Sequence, residues 1–101
     1  MKRHLLMAAV AASLAFGGAH ATDLSKARYL AAACANCHGT NGNAVDGGFN
    51  LAGYPRDRLI DTMAAFKSGQ RPATLMHQIA KGYTDEQIAA MADYFAAQKK
   101  R

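Results

Sequence analysis

The stretch that decides the fold is Cys34-Ala35-Asn36-Cys37-His38, in which two cysteines and a histidine fall within five residues. These are the only two cysteines among the 101 residues of the chain. The pattern C-x-x-C-H is typical of the attachment of a c-type haem. Two thiols three positions apart on a helical turn each reach one haem vinyl group, and the histidine that follows presents its imidazole to the iron. The motif therefore predicts a covalent haem held through Cys34 and Cys37, with His38 as an axial ligand.

Three other interpretations of this motif remain open. A redox-active C-x-x-C dithiol is expected in a βαβ context, which the sequence does not show. A simple disulfide suits an exported protein. Cys34, Cys37 and His38 also fall one ligand short of a closed structural zinc site. Haem is favoured because the motif, an export signal and a thin core all agree with it.

The N-terminus predicts export. Lys2 and Arg3 form a short positive region, an uncharged apolar run follows over 5–16, and Ala19-His20-Ala21 has the pattern of a cleavage site. The apolar run is shorter than the roughly 20 residues that span a bilayer. We therefore predict a cleaved signal peptide over 1–21 and a periplasmic, monohaem domain over 22–101 that does not insert into the membrane.

Composition shows why this domain needs a cofactor. Over 22–101, 12 residues are Leu, Ile, Val or Phe, whereas 16 are Ala. Domains of this size usually need a disulfide, a metal, oligomerisation or a bulky cofactor in addition to their own side chains. The formal net charge of the whole chain is +5. These values argue against a large enzyme and a repeat protein, and nucleic acid is an implausible partner for an exported haem protein.

Periodicity predicts an all-α fold with three main helices and loops around the haem. The first helix runs over roughly 24–34 behind a cap at Thr22 or Asp23. The glycine-rich stretch 39–53 predicts a loop. Pro55 suits the first turn of the second helix, which ends at Gly69. The apolar stripe of this helix consists of Leu59, Met63 and Phe66.

The C-terminal third predicts a short helix followed by the last main helix. The short helix covers 75–81 and ends at Gly82. Thr84-Asp85-Glu86-Gln87 is a capping box that starts the last helix. Its predicted buried face consists of Ile88, Met91, Ala92 and Phe95. Lys99-Lys100-Arg101 is expected at its C-terminus, where positive charge suits the helix dipole.

The sixth iron ligand decides the function. A protein side chain at this position closes the iron to other ligands, so that only electron transfer remains, whereas an open position permits ligand binding or catalysis. The candidates are Met63, Met76, Met91 and His77. Met63 and Met91 lie on apolar stripes and suit core packing. Met76 follows a turn far along the chain from Cys37, as a ligand for the opposite haem face must. We therefore predict Met76, with His77 as the alternative.

The chain resembles the small class I c-type cytochromes of the bacterial periplasm over essentially all of 22–101. The resemblance rests on 34–39, Gly42-Asn43, Leu51-Ala52-Gly53, 66–71 and the Met76 segment. More narrowly, 73–76 and 79–88 look like the cytochrome subunit of flavocytochrome c sulfide dehydrogenases. This resemblance implies thioethers at Cys34 and Cys37, axial ligands at His38 and Met76, and electrons received from a separate FAD-containing subunit.

One position departs from that family. A proline commonly stands two residues before the Leu-Ala-Gly, and its carbonyl receives the N–H of the proximal imidazole. Here Phe49 occupies the position. The carbonyl of Gly48 or Phe49 is therefore expected to accept the imidazole N–H, but its backbone lacks the rigidity that a proline ring would give. With a single C-x-x-C-H motif, the chain is a monohaem version or a free relative of the family's often dihaem subunits.

We therefore expect a one-electron carrier that performs no bond-making chemistry and passes electrons to a downstream redox acceptor. The alternatives are a freely diffusing shuttle and, from another class, a haem enzyme or ligand sensor with an open or His77-bound site. The haem propionates need hydrogen-bond donors. Arg71 is favoured because it stands just before the ligand loop, and the other candidates are Arg56, Arg58, Tyr54 and Tyr83.

Overall fold

The computed structural model describes residues 23–101, and these residues form helices and loops without any strand. The elements in chain order are α1 (Leu24–Ala32), α2 (Ala35–His38), a 3₁₀ helix (Thr40–Gly42), α3 (Arg56–Ser68), α4 (Met76–Lys81) and α5 (Asp85–Ala96). Since α1, α3 and α5 are the long helices, the predicted all-α architecture is confirmed. The signal peptide predicted over 1–21 lies outside the described residues. Over 23–101, no helix has the length and apolar character needed to cross a membrane.

The first helix is shorter than predicted. Asp23 caps α1, because its carboxylate accepts the backbone N–H groups of Ser25 at 3.0 Å and Lys26 at 3.3 Å. The helix ends at Ala32, and the chain turns before α2 begins with Cys34 as its N-cap. The His38 N–H donates to the Cys34 carbonyl at 2.9 Å. The C-x-x-C-H motif therefore forms a helical turn of its own.

α3 and α5 begin and end close to their predicted signals. Pro55 is the N-cap of α3 and so lies just before its first turn, and Gly69 ends the helix with a φ of 82°. At the start of α5, Thr84 and Gln87 form both bonds of the capping box, at 2.9 and 3.1 Å. The predicted face of α5 is buried, and it consists of Ile88, Met91, Ala92 and Phe95.

The prediction that the basic C-terminal residues end the last helix is wrong. α5 stops at Ala96 and has no basic residue in its last turn. Asn43 holds the tail instead. Its side-chain amide donates to the Lys99 carbonyl at 3.0 Å, and its amide oxygen accepts the Arg101 N–H at 2.9 Å. A pairing between the tail and the loop thus replaces the expected interaction with the helix dipole.

The core of the described residues is built largely from alanine. Ten apolar residues are buried, and five of them are Ala27, Ala31, Ala52, Ala80 and Ala92. α1 packs against α5, while α3 packs against both α4 and α5. Alanine lets helices approach closely but contributes little apolar surface. The long helices consequently surround a cavity whose walls are the larger apolar side chains.

Gly42 marks the closest approach of the loop to α5. Its φ is 77°, and a Cβ there would lie 2.9 Å from Phe95 Cδ1 and 2.7 Å from the Ala52 nitrogen. We expect Gly42→Ala to lower the free energy of unfolding by about 3 kcal/mol, from a left-handed backbone and an overpacked contact together. Gly47→Ala is the matched control, since Gly47 has the same φ with nothing within 4 Å of the added Cβ. Denaturant unfolding measures both variants, and equal losses would contradict the packing argument.

Candidate cofactor-binding site

A cavity of about 630 Å³ lies among the helices. This volume falls in the range of roughly 300–1,000 Å³ that is usual for small-molecule and cofactor sites. Most of its lining is apolar, and α3, α4 and α5 each contribute side chains to it. From these helices the larger apolar members are Leu59, Met63, Phe66, Met76, Ile79, Met91 and Phe95.

The three chemically active residues of the C-x-x-C-H motif all line this cavity. Both cysteines are free thiols; Cys34 is half-buried and Cys37 is exposed. Burial raises the pKa of the Cys34 thiol, and the neighbouring Cys37 adds to the rise. Over 23–101 no cluster of three or more His, Cys, Asp or Glu side chains is arranged to hold a metal ion.

His38 is held by a hydrogen bond to the backbone oxygen of Phe49, at 2.8 Å from Nδ1. A carbonyl oxygen only accepts, so Nδ1 carries the proton and Nε2 keeps its lone pair. This tautomer is the one an imidazole needs to bind a metal through Nε2. Of the two acceptors expected for this bond, Gly48 and Phe49, the structure has Phe49.

Met76 lines the same cavity from a separate part of the fold. α2 contacts the 3₁₀ helix, whereas α4, which begins at Met76, packs on α3. Met63 and Met91 also reach the cavity, but they are 9% and 2% exposed and belong to the core. His77 does not line the cavity, and its buried Nδ1 has no hydrogen-bond partner among the described residues. The structure therefore brings Met76, and not the alternative His77, together with the motif.

The structure separates the five candidate propionate donors into two groups. Those that line the cavity are Arg71, Tyr54 and Tyr83, and those that do not are Arg56 and Arg58. The Arg71 guanidinium lies 5.3 Å from the centroid of the Phe66 ring, a cation–π distance. Arg56 is engaged elsewhere, because it contacts Asp93 at 2.5 Å and Asp57 at 3.0 Å.

Sequence reasoning missed the role of Lys67. Its ammonium group donates to the Tyr83 carbonyl at 2.6 Å and lies 3.5 Å from an Asp85 carboxylate oxygen. The contact joins the end of α3 to the turn that follows the Met76 helix. Lys67 and Tyr83 are 16 residues apart in the chain, so no local sequence pattern indicates which carbonyl this lysine contacts.

Comparison with known proteins places residues 23–99 in one family. A family model described as cytochrome c matches residues 23–99. The cytochrome subunit of sulfide dehydrogenase from Chlorobaculum tepidum is 36% identical over 77 residues, which cover 76% of this chain and 70% of that protein. Cytochrome c-553 from Nitratidesulfovibrio vulgaris is 33% identical over 101 residues, covering 95% of this chain and 98% of that protein. The thiosulfate dehydrogenase electron acceptor from Thiomonas intermedia is 37% identical over 71 residues, which cover 68% of this chain and 33% of that protein.

Proposed function

Because the chain belongs to the cytochrome c family and so takes a covalently attached c-type haem, we propose that it is a periplasmic one-electron carrier with His38 and Met76 as iron ligands. Cys34 and Cys37 supply the two thioether sulfurs. One observation carries this proposal: a single cavity gathers the C-x-x-C-H motif and Met76 from different helices. The bound haem supplies a one-electron couple, and the protein supplies both axial ligands.

The residues of the cavity fit a haem by size and by donor chemistry. The cavity of about 630 Å³ is mostly apolar, which suits a large flat apolar group, and a haem filling it would complete the alanine-rich core. His38 keeps Nε2 free to bind iron because Phe49 accepts the proton on Nδ1. The Met76 thioether is a soft ligand that favours the ferrous state and raises the reduction potential.

We propose Arg71 as the principal hydrogen-bond donor to the haem propionates. Its guanidinium presents five N–H donors in a fixed plane, which suits carboxylates. The cation–π contact with Phe66 keeps the guanidinium at the cavity wall. Tyr54 and Tyr83 are the other donors that line the cavity.

We further propose that the electron donor is an FAD-containing sulfide dehydrogenase subunit, with a downstream redox acceptor receiving the electron. Two relatives are named as a cytochrome subunit of sulfide dehydrogenase and a thiosulfate dehydrogenase electron acceptor. The segments 44–53 and 72–80, which both contribute to the cavity wall, contain one charged residue, Asp46. Such a surface suits a docked subunit better than a diffusing shuttle, which uses complementary charge to steer encounters. The shuttle remains the alternative function.

Purification from the periplasm of the source organism tests the function. We expect an intact mass equal to residues 22–101 plus one haem, and an oxidised absorption spectrum with a sulfur-to-iron band. Flavin in a fixed ratio to haem supports the dehydrogenase subunit, whereas haem alone in both low and high salt supports the shuttle. A spectrum without the sulfur-to-iron band contradicts the assignment of Met76 and returns attention to His77.

A further inference from the structure

The carbonyl that holds the proximal imidazole lies on a glycine-rich stretch that is tied on both sides of Phe49. The Gly48 N–H donates to the Val45 carbonyl at 3.1 Å, and the Leu51 N–H donates to the Gly42 carbonyl at 2.8 Å. Phe49 stands where related cytochromes commonly have proline, whose ring would fix φ near −65°. Phe49 has no such restriction, and it follows Gly47 and Gly48, of which Gly47 has a φ of 77°. The backbone of Phe49 itself therefore does not fix the direction of the carbonyl whose oxygen lies 2.8 Å from His38 Nδ1.

The Phe49 side chain makes two aromatic contacts that restrict this stretch. Its ring centroid lies 6.3 Å from that of His38 with an interplanar angle of 88°, and 5.7 Å from that of Tyr54 with an angle of 60°. Both are edge-to-face arrangements, which are favourable for aromatic rings. Tyr54 is itself anchored, because it packs against the core and its N–H donates to the Leu51 carbonyl at 3.0 Å.

We propose that the Phe49 ring, wedged between His38 and Tyr54, is the positioning device that replaces the family's proline. The ring holds the Phe49 carbonyl against His38 Nδ1. A firm N–H···O bond makes the ligating nitrogen more basic, which stabilises the ferric state and lowers the reduction potential. The inference rests on the proposed role of His38 as an iron ligand, and it makes both Phe49 and Tyr54 positioning residues for that ligand.

The test follows the His38 Nδ1 proton by NMR in the reduced holoprotein. We expect Phe49→Ala and Tyr54→Ala each to speed exchange of this proton with solvent by about tenfold, the factor that one good aromatic pair is worth. The reduction potential is expected to be higher in Phe49→Ala than in Phe49→Pro, because both lack the ring that lines the cavity and only proline restricts the backbone. Tyr54→Phe keeps the ring and is expected to leave the exchange rate unchanged. Phe49→Leu, which keeps apolar volume without a ring, is expected to behave like Phe49→Ala.

A proline variant separates positioning from contact with the cofactor, which matters because Phe49 also lines the cavity. Neither of two common obstacles to proline is present, since φ of Phe49 is not positive and its N–H has no acceptor among the described residues. We expect Phe49→Pro to restore slow exchange although it lacks the aromatic ring. Adding Tyr54→Ala to Phe49→Pro is then expected to have no further effect, as a double-mutant cycle would show.

Two results would overturn the proposal. One is that the His38 Nδ1 proton exchanges at the wild-type rate in both Phe49→Ala and Tyr54→Ala, while the unfolding midpoint is preserved. The other is a Tyr54→Ala effect of the same size in the Phe49→Pro background as in the wild type. Phe49 is 57% exposed, so its truncation leaves the domain folded. Failure of the proposed function is distinguishable, because the reduced wild-type protein would then lack His38 imidazole resonances shifted by a bound haem, and the oxidised protein would lack the sulfur-to-iron band.

Discussion

Ferrous protein carrying Met76→Ala is expected to bind carbon monoxide rapidly, whereas the ferrous wild-type protein does not. Met76 begins α4 and lines the cavity that also contains His38, and alanine leaves the sixth iron position without a protein ligand. The sulfur-to-iron band of the oxidised protein should disappear. Since axial ligands set haem potentials over about 0.8 V, we expect the midpoint potential to fall by roughly 0.1–0.3 V. Absorption spectroscopy under carbon monoxide and a redox titration measure both effects.

Three control variants make this test specific to Met76. Met63→Leu and Met91→Leu change the other methionines of the cavity wall, which are buried in the core, and should keep the sulfur-to-iron band. His77→Ala removes the alternative ligand and should also keep it, because His77 does not line the cavity. If His77→Ala opens the iron to carbon monoxide and Met76→Ala does not, the assignment of Met76 is wrong.

The features predicted well from the sequence are those that local chemistry determines. The Thr84–Gln87 capping box forms because both its bonds join residues three apart. Gly69 ends α3 because a left-handed residue is required there and glycine adopts that conformation without strain. The stripe on α5 is buried as its spacing predicts. Each of these signals is complete within a few residues of sequence.

The features that the sequence could not predict depend on contacts between distant residues. The basic tail leaves α5 because Asn43 pairs with Lys99 and Arg101, 56 and 58 residues away. Spacing alone does not say which carbonyl accepts the His38 N–H, because the loop folds back across 11 residues to bring Phe49 there. Only the family resemblance narrows the acceptor to Gly48 or Phe49. Spacing arguments contain no information about such pairings, since they describe only one element at a time.

The same distinction applies within the candidate site. The C-x-x-C-H motif is a local pattern, so the sequence names its three residues directly. Position along the chain and the family resemblance favour Met76 over His77 at the level of the sequence. The cavity adds an independent argument because Met76 lines it and His77 does not. Arg56 illustrates the limit of composition: its pairing with Asp93 is invisible until α3 and α5 are placed together.

Replacing both cysteines, as Cys34→Ser with Cys37→Ser, is expected to abolish covalent haem and most of the stability of the domain. Haem should then extract into acidified acetone, and the intact mass should equal the polypeptide alone. Because half of the buried apolar residues are alanines, we expect the loss of most of the roughly 5–10 kcal/mol that stabilises a domain of this kind. Mass spectrometry and denaturant unfolding at 25 °C measure the two losses.

Ala35→Ser is the matched control for this double variant, since it adds a hydroxyl to the same helical turn and leaves both thiols in place. It should keep covalent haem and an unfolding free energy within about 0.5 kcal/mol of the wild type, as surface substitutions usually do. A double-serine protein that unfolds cooperatively at the wild-type denaturant midpoint would contradict the view that the cofactor completes the core. Retention of noncovalent haem with intermediate stability would instead measure the two contributions separately: packing of the haem by the cavity wall, and its tethering by Cys34 and Cys37.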